Sequence, residues 1–224
     1  MVHYGKRGLF MEKSPALLLL KEISFSPLTM HIILFILFFV SGCSALIYQI
    51  IWQRMLFTMF GVDLESITIV VSVFMFGLGI GGLCGGYIAD VLSQRLLALY
   101  TLIELAIAAF GFCSGSLLEY LGNTMISYSE VTTAAVSFLV LGFPTILMGA
   151  TFPILVKYVD TFNQHIGRSV GSLYVANTLG GAAGAFFSGF VLLYIFDLVG
   201  AVDYAACLNL TIAISAFILF RKKM

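Results

Sequence analysis

The chain has 224 residues, 61% of them hydrophobic and 10% charged, and its 11 Lys and Arg balance 11 Asp and Glu to a net charge of zero. A mean hydropathy of +1.08 excludes a folded surface that meets water over most of its area. The balanced charge gives no support for nucleic-acid binding, and the composition is that of a polytopic membrane protein.

Residues 1–27 read as a cytoplasmic N-terminal segment. Their apolar stretch 16–20 is too short for a signal peptide and runs into Lys21 and Glu22. Residues 6–23 fit an interfacial segment instead. Six apolar runs follow at 30–52, 67–89, 96–118, 131–155, 171–196 and 204–220. Each is about as long as a helix needs to cross ~30 Å of hydrocarbon at ~1.5 Å per residue. Lipid offers the backbone no partners, so the runs are predicted helices, and 28–220 is predicted to be one all-α, six-helix transmembrane domain.

Orientation follows from the cations. Lys6, Arg7, Lys13, Lys21, Arg95, Lys157, Arg168, Arg221, Lys222 and Lys223 fall on one side, and Arg54 alone falls opposite, beside Asp63, Glu65, Glu119, Glu130, Asp197 and Asp203. Both termini, with the basic tail 221–224, are therefore expected in the cytoplasm. Cys43, Cys84, Cys113 and Cys207 lie inside spans without CxxC spacing and read as small buried hydrophobes. His3, His31 and His165 form no pair suited to axial ligation, so neither a metal nor a cofactor is implied.

The first span carries the polar stripe Ser41, Ser44, Tyr48 and Trp52, with Gln49 beside it; Trp52, the sole tryptophan, fits an interfacial anchor. The second span places Gly77, Gly81 and Gly85 four apart, and the fifth does the same with Ala176, Gly180 and Gly184. Small residues at that spacing let backbones approach closely. These faces either pack statically or slide as gating helices do. Between the second and third spans, Asp90 and Arg95 could form a cytoplasmic latch, or simply flank a solvated turn.

Glu104 is the one carboxylate deep within a span, on a stripe with Ala108, Gly111 and Gly115 that points it toward the bundle interior. It is either a proton-coupling or cation-binding group or a structural acid that fixes helix register. In the fourth span Pro144 and Pro153 each remove an amide donor, so this helix is expected to kink or loosen at two levels. The fifth span offers Tyr174 and Asn177 on one face, and the sixth a lone Asn209, read as a helix–helix hydrogen bond.

Strings along the chain resemble one family: SGCSALIYQIIWQR at 41–54, FMFGLG at 74–79, GYIAD at 86–90, PTILMGATFP at 144–153 and GSLYVANTLG at 171–180, followed by GF at 189–190. Together they are similar to the membrane half of bacterial fused major-facilitator/spermidine-synthase proteins, from about residue 32 onward. The resemblance implies half of a major-facilitator fold in a bacterial inner membrane, with a homodimer or a second membrane subunit completing the pathway. It makes a small cation such as a polyamine the first candidate solute, with Glu104 binding cation or proton and Tyr174, Asn177, Gln49 and Tyr48 adding polar contacts. In that family a soluble aminopropyltransferase-like domain follows the membrane half. This chain stops where it would begin, so no aminopropyl transfer and no catalytic residue are expected here. The other readings are a membrane anchor or scaffold for a separate enzyme of that kind, and a structural subunit of a larger membrane complex.

Overall fold

The computed structural model describes residues 27–61, 63–125, 127–161 and 166–223. The expected interfacial segment at 6–23 lies outside them, as does His165. The described residues form six long helices and no strand: α1 (Pro27–Phe60), α2 (Asp63–Val91), α3 (Leu96–Met125), α4 (Glu130–Asp160), α5 (Ile166–Phe187) and α6 (Leu198–Lys223). The apolar run at 171–196 begins on α5 and continues past its end, the other five lie within these helices, and all six elements are long and apolar enough to cross a membrane. The chain thus has the build of an integral membrane protein.

The ends are set by local chemistry. Gly61 takes φ +70° and its N–H reaches the Phe57 carbonyl at 2.8 Å, a left-handed close that a Cβ would hinder. Ser129 caps α4 by accepting from the Thr132 N–H at 3.3 Å, with Glu130 in the first turn where an acid suits the helix dipole. Asp197 Oδ1 accepts the Gly200 N–H at 2.8 Å and starts α6. Beyond Phe187, α5 continues as a π-helical turn, Ser188–Leu192, and a last α-turn, Leu193–Ile195. The Ser188 hydroxyl donates to the Gly184 carbonyl at 2.7 Å as that turn begins.

The most extensive packing joins α2 to α4, α1 to α5 and α3 to α6. Exchange α1 with α4, α2 with α5 and α3 with α6, and this set of pairs maps onto itself. The bundle is therefore organised as two three-helix halves of equivalent pairing, a pattern shared with transporters built from internal repeats. Glycines make two of these seams. A Cβ at Gly77, Gly81 or Gly85 would collide with Thr145, Ile146 or Ala150 of α4. Along α1 and α5, Gly42 meets the Asn177 carbonyl, Gly180 that of Phe39 and Gly184 that of Cys43. Such contacts bring backbone against backbone, the main source of helix association where no water is expelled.

Two expectations are corrected here, on Trp52 and on the cysteines. Both prolines lie inside α4, which is helical throughout Glu130–Asp160. The Thr145 hydroxyl, next to Pro144, donates to the Leu141 and Gly142 carbonyls at 3.0 and 2.9 Å. Trp52 is only 1% exposed and is not an interfacial anchor. Its indole N–H donates to Ser114 Oγ at 3.0 Å and its ring stacks on Tyr48, whose hydroxyl sits against Gly111 of α3. Of the cysteines, Cys43 is half-buried, whereas Cys84, Cys113 and Cys207 are exposed on the outer faces of their helices, where a thiol is apolar enough for lipid; all four are free.

Candidate functional site

Glu104 projects from α3 and is 0% exposed, on a stripe whose other members, Ala108, Gly111 and Gly115, are buried too. Ser41 of α1 donates to its Oε1 at 2.9 Å, and the Asn209 amide nitrogen of α6 donates to its Oε2 at 2.6 Å. The buried Tyr100 hydroxyl lies near enough to interact with the same carboxyl but has no partner in hydrogen-bond geometry. The carboxyl thus ties three helices together through neutral donors. The ion pair between Lys157 and Asp90 lies elsewhere in the bundle. Asn209 is the interhelical hydrogen bond expected of it.

In front of this cluster lies a cavity of about 370 Å³. Its wall is built by Ser41, Ser44 and Gln49 from α1, Gly149, Thr151 and Pro153 from α4, Tyr174 and Asn177 from α5, and Asn209 from α6, with Phe38, Phe74 and Phe152 among its apolar lining. Concave sites of this size, mostly apolar with a few convergent polar groups, are where small molecules bind. Tyr174 is 62% exposed, so it stands at the rim on the outer side of α5.

The structure thus brings Gln49, Tyr174 and Asn177 to one wall. Glu104 does not reach that wall; it lies one layer behind, covered by Ser41 and Asn209. Tyr48 is also set apart: it is fully buried, with its hydroxyl against Gly111. The polar stripe of α1 therefore divides, Ser41 and Ser44 facing the cavity while Tyr48 and Trp52 turn to α3. A wider groove of about 570 Å³, which includes Glu119 and Asp197, opens where α1 and α3 end and α6 begins. Between α2 and α4, Lys157 Nζ pairs with Asp90 Oδ1 at 2.8 Å. The expected partner of Asp90 was Arg95, but α4 brings Lys157 to the end of α2, where Asp90 meets it across the glycine seam. Both side chains are exposed and solvent screens them, so Asp90→Asn should leave the thermal midpoint of the bundle almost unchanged.

Sequence reading missed Gly149 and Thr151 as wall residues, while Ser44 stood in the polar stripe it drew along α1. One signal was available for Gly149: it stands four residues before Pro153, where a helix carbonyl loses its donor. The buried Trp52 is testable. Trp52→Phe removes its bond to Ser114 and should lower stability by about 1 kcal/mol, read by circular dichroism melting. An unchanged melt would place the indole elsewhere. No family model, curated protein or solved structure matches this chain.

Proposed function

We propose that this chain is a transporter-like membrane subunit whose central cavity takes a small cationic solute. One observation carries the reading: a fully buried carboxyl, hydrogen-bonded by neutral groups, backs a largely apolar cavity into which a few polar side chains converge. Ionisable groups at membrane depth are costly and face interiors or pathways. A cation in the cavity would neutralise Glu104, and a proton would do so when the cavity is empty, which couples the two. The resemblance to fused major-facilitator/spermidine-synthase proteins makes a polyamine the first solute to try.

The equivalent pairing of the two halves of the bundle agrees with half of a major-facilitator arrangement. A second copy, or a second membrane subunit, would then cover the rim at Tyr174. The segregated cations favour cytoplasmic termini, and the resemblance favours a bacterial inner membrane. The glycine seams of α2 and α5 supply smooth surfaces for rocking.

Uptake of labelled spermidine into proteoliposomes tests this reading. The wild-type chain should exceed empty liposomes, and Gln49→Leu, which replaces a polar wall group by an apolar one, should lower uptake about tenfold. Uptake no greater than in empty liposomes would sink the proposal.

A further inference from the structure

The serine and threonine hydroxyls at the cavity wall all direct their protons away from it. Ser41 donates to Glu104 Oε1 at 2.9 Å, Ser44 to the Ser41 carbonyl at 2.9 Å and Thr151 to the Met148 carbonyl at 2.7 Å. The amide nitrogen of Asn209 is committed to Glu104 Oε2 at 2.6 Å, and its Oδ1 is buried with no partner, on a residue 1% exposed. Pro153 has no N–H to give the Gly149 carbonyl, and both residues line the cavity. These groups offer a guest oxygen acceptors. A buried acceptor left without a donor is costly, so the wall calls for a ligand rich in N–H.

We infer that the cavity is a receptor for a primary ammonium group, with Asn209 Oδ1 as its direct contact and Glu104 as the positioning residue behind it. This rests on reading the cavity as a binding site and adds the sense of its polarity. The Glu104 carboxyl fixes which way the Asn209 amide faces: while it accepts from the nitrogen, the carbonyl oxygen is left for the guest. An anion would find donors only on the side chains of Gln49, Asn177 and Tyr174, and would stand in front of a carboxylate. A quaternary ammonium would meet the same charge but could donate nothing to Asn209. The primary ammonium could come from a soluble amine or from the ethanolamine headgroup of a lipid entering at the Tyr174 rim.

The test is equilibrium binding of 1,4-diaminobutane and of its fully N-methylated analogue to the full chain in phosphatidylcholine nanodiscs. Both carry two charges, and only the first has N–H donors. The primary diamine should bind at least about tenfold more tightly, as a charge-assisted hydrogen bond requires. Asn209→Leu should erase that preference while changing the analogue little; Asn209→Ala serves if leucine disturbs folding. A general structural defect would weaken both ligands together. Equal affinities in the wild type, or a preference that survives both substitutions, would overturn the inference and leave the solute cavity standing. A second arm measures retention of phosphatidylethanolamine over phosphatidylcholine, and its competition with the diamine, by native mass spectrometry. Competition assigns the ammonium to a headgroup; diamine binding without competition assigns it to a soluble amine. Retention of the lipid with no diamine binding supports the ammonium site and removes the transport reading. Binding of neither overturns both.

Discussion

Glu104→Gln should weaken binding of a cation in the central cavity about thirtyfold while leaving the bundle folded. At an effective dielectric near 20, a unit charge pair is worth about 4 kcal/mol at 4 Å and about half that at twice the distance. Glu104 acts across one intervening side chain, Ser41 or Asn209, so the smaller figure applies, and about 2 kcal/mol is roughly thirtyfold in affinity. Stability moves much less. Glutamine keeps one acceptor for Ser41 or Asn209, and hydrogen bonds between membrane helices average only about 0.6 kcal/mol. Removing a buried ionisable group also removes its desolvation cost, which offsets part of the loss. The expected result is therefore a split: affinity falls and the melting temperature stays within a few degrees. Unchanged affinity in a folded variant would make Glu104 a purely structural acid.

Gly180→Leu should disrupt the bundle outright. A side chain at this position runs into the main chain at Phe39, and the adjoining contacts at Gly42 and Gly184 hold α1 and α5 together on both sides. Backbone cannot rotate away as a flexible side chain does, so the helices must separate along the whole seam. Overpacking of a tight site costs about 1–3 kcal/mol or more, and here the neighbouring contacts are lost as well. Gly79→Ala is the matched control. A Cβ there has nothing within 4 Å. It should be neutral, or stabilising by up to about 1 kcal/mol through helix propensity. Buried Trp52 reports both variants by its fluorescence on heating. Equal melting of the two would show that the seam is not what holds α1 to α5.

The six helices were legible because continuous apolar runs of membrane length admit few other structures. The inward face of Glu104 was legible too, since its stripe of small neighbours can only serve close packing. What pattern could not supply was partnership between helices distant in sequence. Asp90 took Lys157 because α2 and α4 pack along their glycines, and nothing local in the chain brings residue 157 to residue 90. Trp52 looked interfacial by residue type, yet its partners Ser114 and Tyr48 hold it inside. Glu104 lies behind the cavity wall because α3 packs on α6 away from it, a choice made by pairing and not by periodicity.

The π-helical turn at Ser188–Leu192 has a consequence for chain length. Such a turn takes up one residue more than an α-turn while the helix on either side keeps its facing. The α5 surface before it remains locked to α1 at Gly180 and Gly184, and the segment after it still delivers Asp197 to open α6. This is the place in the bundle where one residue is surplus to register. Gly189, exposed and with open space around it, is the natural residue to lose. Its deletion should convert the turn to plain α-helix and be tolerated, whereas a one-residue deletion between Gly180 and Gly184 should rotate the seam out of contact.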